Sequence, residues 1–222
     1  MTSIFQEALG SDFHRLHPMM QRRFTVGLDS AEACVGTGVM TSIRRGPWWT
    51  VPFLQIGRLR NILIPDTGED VPFVVQNYPY RDPFGRETVT FVREYALGRH
   101  RRRFDATMIL HQGRIVDYLG THQHLAVDLE LGVDERGGLE LTSDSQRFYE
   151  GPIGFRFPML LSGRARLREY FDDEDESFHV DLEVHNHRFG FLFGYRGTFR
   201  CEWMPASDAP ARLKPVRHEA RT

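Results

Sequence analysis

Arg164-Ala-Arg-Leu-Arg-Glu-Tyr-Phe171 and Phe178-His-Val-Asp-Leu-Glu-Val-His-Asn-His187, joined by Asp172-Asp-Glu-Asp-Glu176, decide what kind of object this chain makes. In the second run Phe178, Val180, Leu182 and Val184 share one face, while His179, Asp181, Glu183, His185 and His187 share the other. A period of two is the signature of a half-buried antiparallel strand. The five acids between the runs suit a solvated hairpin tip, and they lack the glycine and spacing of a calcium loop.

The same pattern recurs in both directions. Val71 to Tyr80 and Glu87 to Tyr95 flank Arg81-Asp-Pro-Phe-Gly-Arg86; Arg103 to Leu110 and Arg114 to Leu119 flank His111-Gln-Gly113; His124 to Leu131 and Leu139 to Arg147 flank a turn at Asp134 to Gly138. Ala31 to Arg45 and Tyr195 to Trp203 complete about ten strands with short connections. Before them, Ser3-Ile-Phe-Gln6 reads as a capping box, Gly10 as a helix stop and Pro18 as the first turn of a further helix. The expected class is mainly β (α+β): a large curved antiparallel sheet closing to a barrel-like body, with short N-terminal helices and a short helix or lid near 47–62. One domain over 1–204 is expected, followed by an extended or disordered tail over 205–222, where Pro, Ala and charge dominate.

Composition narrows the function classes. The 222 residues carry a formal net charge of -2, so no global field recruits nucleic acid or anionic lipid, and Arg99-His-Arg-Arg-Arg103 reads as a local hairpin tip. Seventeen Phe and seven Tyr favour pleated surfaces and pocket walls. Cys34 and Cys201 lie far apart and form no Cys-x-x-Cys pair, which fits reduced thiols and a cytoplasmic setting. No run has the roughly 18 apolar residues of a spanning helix, so no transmembrane segment is expected.

Motifs for chemistry are sparse. His122 with His124 and His185 with His187 have the alternation of strand-borne metal ligands, but both pairs fall on polar faces by parity, and surface positions are expected. Gly36-Thr-Gly38 lies inside a strand pattern and reads as close strand packing, not as a nucleotide loop. No Gly-x-Ser-x-Gly elbow occurs, and neither a metal nor a cofactor is expected. The remaining candidate is Arg147 to Gly163, where Glu150 and Arg156 sit among Tyr149, Phe155 and Phe157, with an echo at Gly190-Phe-Leu-Phe193 followed by Tyr195-Arg196. With Trp48 and Trp49 these form the candidate ligand-binding set: Trp48, Trp49, Tyr149, Glu150, Phe155, Arg156, Phe157, Tyr195 and Arg196.

Phe5-Gln-Glu-Ala-Leu-Gly-Ser-Asp-Phe13, Arg93, Arg103-Phe-Asp105, Gly151-Pro-Ile-Gly-Phe-Arg-Phe-Pro158 and Phe189 to Gly197 together resemble the bacterial domain-of-unknown-function family numbered 4166, over roughly residues 4 to 204. The resemblance brings structural glycines, prolines and aromatics but no catalytic residues. Domains of this kind also occur behind oxidoreductase-like domains or membrane segments, which raises an oxidoreductase partner protein in trans as an expectation. The leading functional expectation is a module binding a small hydrophobic molecule in an aromatic-lined cavity. The alternatives are a cofactor-independent cyclase or isomerase using Glu150 with Arg156 or Arg196, and an accessory domain that docks on an oxidoreductase.

Overall fold

A computed structural model of the protein describes residues 2–58, 60–62, 64–156 and 163–222, without the side chains at 52, 53, 56 and 57. The chain opens with helix α1 (Ile4–Leu9), a 3-10 turn (Gly10–Arg15) and helix α2 (Pro18–Phe24). The capping box forms as expected: the Ser3 hydroxyl accepts from the Gln6 amide, and the Gln6 side chain accepts from the Ser3 amide. Gly10, at φ +55°, ends α1 in a conformation that costs other residues. His17 caps α2 by accepting from the Met19 amide, with Pro18 at the first helical position.

The rest is a sheet of β1 (Glu32–Arg45), β2 (Gly68–Asn77), β3 (Pro79–Arg81), β4 (Glu87–Thr90), β5 (Val92–Leu97), β6 (His100–Phe104), β7 (Ala106–His111), β8 (Arg114–Leu119), β9 (Leu125–Val133), β10 (Leu139–Glu150), β11 (Ile153–Arg156), β12 (Arg164–Asp172), β13 (Ser177–Asn186) and β14 (Gly190–Pro205). Helix α3 (Val51–Arg58), preceded by a 3-10 turn at Trp48–Thr50, occupies the place of the expected lid. All the strand pairings are antiparallel. Thirteen strands lie in the order β3-β4-β7-β8-β9-β10-β12-β13-β14-β1-β2-β5-β6, and β11 folds back on β10.

The curl follows from three single-residue breaks. Tyr78, Phe91 and Asp105 each interrupt what the sequence presents as one long strand, so β2 runs into β3, β4 into β5 and β6 into β7. In each case one half pairs near one end of the strand order and the other half near the opposite end. Continuous chain therefore bridges the two ends of the sheet three times, and the sheet must curl into a half-barrel. Bulges assist it: register shifts fall between Val39 and Ser42, between Ser143 and Gln146, and between Val184 and His185. The edges are guarded by a three-residue β3 and by β6, whose His-Arg-Arg-Arg sequence discourages further pairing.

The inner face carries Phe73, Val75, Met108, Ile115, Val127, Leu129, Phe178, Val180, Leu182, Phe193, Tyr195 and Phe199, and α1 and α2 lay Phe5, Met20 and Phe24 against it in one core cluster. Residues 206–222 pack over the outer face and include a 3-10 turn at Ala211–Leu213. Ala209 and Leu213 bury against Ala33, Tyr78, Tyr80 and Val92, and the Val216 amide donates to the Thr121 carbonyl at 2.7 Å.

The glycines of Gly36-Thr-Gly38 serve close strand packing. A Cβ on Gly38 would lie 2.0 Å from the Thr198 carbonyl oxygen and 2.5 Å from Phe199 Cα. Both contacts are backbone, which cannot move aside without breaking the pairing of β1 with β14. Gly38→Ala should therefore destabilise the fold by about 2–3 kcal/mol, read as a lower urea midpoint with an unchanged slope. A wild-type midpoint would mean that this approach does not constrain the sheet.

Candidate functional site: a buried polar cluster on the inner face

Alternation predicts that inward positions are apolar, and three inward positions are charged. Glu169 stands between Leu167 and Phe171 on β12, Asp117 between Ile115 and Leu119 on β8, and Arg93 between Phe91 and Tyr95 at the start of β5. Arg23, on α2, is buried above them and forms an ion pair with Glu169. Its guanidinium also donates to Asn77 Oδ1 at 2.9 Å and contacts the sulfurs of Cys34 at 3.4 Å and Cys201 at 3.6 Å. The faces of Phe199 and Phe178 lie 4.8 and 5.7 Å from the same group. A void of about 10 Å³, room for roughly one water, is lined by Arg23, Arg93, Glu169 and Tyr195 together with apolar side chains.

The electrostatics of the cluster are uneven. Burial works against the charge of Arg23, but Glu169 and then the two cysteines outweigh it and hold the guanidinium charged. Arg93 is likewise held charged against burial, by Tyr195, Tyr95 and Asp117. Burial pushes the Asp117 carboxyl up to about 7, with Arg93 only partly offsetting it, and its Oδ1 has no hydrogen-bond partner. The Tyr95 hydroxyl also lacks a partner of good geometry, while its ring packs 6.0 Å from that of Tyr195. Burial raises both phenols. The cluster thus holds two fixed cations, one firmly paired carboxylate and one carboxyl poised near neutrality, which is the kind of environment found where proteins bind polar groups or move protons.

The residues expected from sequence are dispersed. Tyr195 is buried on the inner face beside Tyr95 and Phe193. Tyr149 is buried on the outer face with Ile109, Val116, Tyr118 and Ala126, beneath the guanidinium of Arg221 at 4.5 Å. Arg196 points outward onto Asp181 at 2.6 Å, beside an open outer groove of about 910 Å³ whose Arg168 already holds Asp134. Glu150 is exposed and meets His124 Nδ1 at 2.8 Å, and Arg156 is exposed and donates to the Ser145 hydroxyl at 2.7 Å. Phe155 packs against Phe148 with tilted rings, centroids 5.4 Å apart, and Trp48 and Trp49 stand exposed, edge to face, 6.1 Å apart. Phe157 lies outside the described residues. No described cavity joins this set, because alternation sends neighbouring residues to opposite faces of the sheet.

One surface expectation is corrected. His124 is buried, stacked between His122 at 5.3 Å and Phe148 at 5.9 Å, because the chain leaves strand geometry before Leu125, with Gln123 at φ +51°. Parity extrapolated back from β9 does not reach it. The acidic run does form a hairpin tip, with Asp172 and Asp175 accepting from the amides of Glu174 and Ser177.

Residues 16–199 match the family described as Domain of unknown function (DUF4166). The chain belongs to that family. This DUF4166 chain is also 29% identical over 204 residues to the uncharacterized protein YndH of Bacillus subtilis (strain 168), covering 91% of this chain and 98% of the relative. The crystal structure of Rv2717c from M. tuberculosis aligns over 84% of this chain and 99% of its own at 8% identity, with a TM-score of 0.38. Among the described residues of this DUF4166 chain, no helix is long and apolar enough to cross a membrane.

Two outcomes follow from the cluster. Arg23→Met alone should cost about 3–5 kcal/mol, since it strands Glu169 in the core, whereas Arg23→Met with Glu169→Leu should regain most of that; equal losses in single and double variants would deny the pairing. For Asp117, a folded pKa of about 7 lies above the unfolded value of about 3.9. The folded state then holds the extra proton between those values, and this residue's contribution to stability falls as pH rises through that window. Asp117→Asn should match wild type below pH about 4 and exceed it by a few kcal/mol above pH about 7. A difference that does not vary with pH would refute the shift.

Proposed function

We propose that this protein is a binding module for a small, largely apolar molecule with a polar or anionic head, held on the inner face of the curled sheet. The observation that carries the reading is the buried cluster: Arg93 held charged with the Phe91 carbonyl at 3.4 Å, Asp117 Oδ1 without a hydrogen-bond partner and the Tyr95 hydroxyl without one of good geometry, all within an aromatic and aliphatic surround. Buried polar atoms left unpaired cost about 1–3 kcal/mol each, and a ligand head group that pairs them recovers that cost. Phe73, Val180, Leu182 and Phe199 supply the apolar wall. The void of about 10 Å³ is far smaller than such a ligand, so binding requires the inner face to open. Helices α1 and α2 cover that face, so opening it means displacing them against the Arg23–Glu169 pair and the hydrogen bond from the His17 amide to the Gly137 carbonyl.

A second reading is favoured by Asp117 alone. A carboxyl near neutrality beside a fixed cation suits proton transfer, so the same pocket could serve a cofactor-independent isomerase or cyclase with Asp117 as acid and base. Fluorescence titration with 1-anilinonaphthalene-8-sulfonate, an apolar anion, tests binding directly. Saturable one-site binding that weakens about tenfold in Arg93→Leu supports the module. Absence of saturable binding, or indifference to Arg93→Leu, counts against it.

A further inference from the structure

The molecule's near-neutral charge hides a strong polarity along the strands. The acidic tip Asp172 to Glu176 ends the β12–β13 hairpin at one end. Its other end, where Arg164 pairs with His185, lies about 30 Å away along the nine residues of β12. At that second end the chain gathers the 3-10 turn and α3, the β13–β14 turn and the β10–β11 hairpin: the Gly46 amide donates to the Leu192 carbonyl, and the Gln146 side chain to the Gly163 carbonyl.

This end is both apolar and cationic. Trp48 is 78% exposed and Trp49 53%, far above what large aromatics usually leave in water, and Ile153, Phe155 and Phe189 are exposed on the hairpins of the same end. Arg45, Arg58, Arg60, Arg156 and Arg188 are exposed around the same rim and make no ion pair among the described residues. Of the acids at this end, Glu183 holds Arg44 and His185, Asp144 holds Arg164 and Glu150 holds His124, while Glu69 and Asp70 stand exposed at the start of β2, where Glu69 is opposite Ser42. The five arginines thus outnumber the two unengaged acids, Glu69 and Asp70, among the described residues at the end that carries the exposed tryptophans, with a block of acids at the other.

We infer that the Trp48–Trp49 end is a docking surface for an anionic lipid bilayer. Tryptophan is the side chain best suited to the headgroup layer, since its ring is apolar and its indole N–H stays hydrogen-bonded there. Each arginine brought near an anionic leaflet adds about 1 kcal/mol, and the distant acidic tip is repelled, which fixes the orientation. An acidic protein surface would also meet these arginines, and it is the occupant that failure to partition onto anionic vesicles would favour. The contact is peripheral and needs no spanning helix.

The test is co-sedimentation of the full chain with phosphatidylcholine vesicles, with and without about one-third phosphatidylglycerol, together with tryptophan emission. Expected are partition onto the phosphatidylglycerol vesicles at low salt, a blue shift of the emission, and loss of both in high salt. Trp48→Ser with Trp49→Ser should lower partition about tenfold or more, and Arg45→Glu with Arg60→Glu should do the same. These side chains are exposed, so unchanged circular dichroism and melting should accompany the loss. No partition onto phosphatidylglycerol vesicles at low salt overturns the inference, as does equal partition onto neutral vesicles or partition unchanged in both variants. Anilinonaphthalene sulfonate binding on the inner face is read separately, so failure here leaves that proposal standing.

Discussion

The ion pair between Arg23 and Glu169 is the interaction on which the rest of the structure depends. Two charges have been removed from water, at a cost of several kcal/mol each, into a core built mostly of phenylalanine, leucine and valine. What makes the arrangement tolerable is saturation: Asn77, both cysteine sulfurs and the rings of Phe24, Phe178 and Phe199 complete the surroundings of the guanidinium. The pair also joins parts of the chain 146 residues apart, tying α2 to the middle of β12. Because a misplaced helix would leave Glu169 unpaired, the pair selects one seating of the N-terminal segment on the inner face.

That seating decides the character of the interior. A curled sheet of this size would enclose a wide pocket if its concave side were empty, but Phe5, Met20 and Phe24 fill it and leave only a small void against the polar cluster. Binding inside and stability of the fold are therefore linked through the same helices. The Asp117 carboxyl belongs to this economy: it is stable as a neutral acid at moderate pH and becomes a liability once charged, with Arg93 as its nearest relief.

The two ends of the body differ for a simpler reason. Hairpin tips lie at both ends of every strand, and their side chains are freed from the alternation that governs the sheet. One end has spent that freedom on acids, the other on tryptophans and arginines. The net charge of -2 cancels these contributions and conceals the asymmetry.

The amino-acid order alone determined the antiparallel pattern, the capping box at Ser3, the stop at Gly10 and the acidic tip, because each depends on neighbours within a few residues, and the small residues at Gly36 and Gly38 marked a close approach whose partner strand only the fold supplies. Charged residues at inward positions, Glu169 between Leu167 and Phe171 or Asp117 between Ile115 and Leu119, were also legible as violations of alternation. What only the tertiary structure decided is which of them meet. Arg23, Asn77, Cys34, Cys201 and Glu169 are brought together by a curl that depends on one-residue breaks at Tyr78, Phe91 and Asp105, and no local pattern distinguishes such a break from continuing strand. The aromatic density around Tyr149 and Tyr195 pointed to one pocket. Strand pleating sends Tyr195 inward and Tyr149 outward, since the face a side chain occupies depends on the register of its strand and not on the company it keeps in sequence.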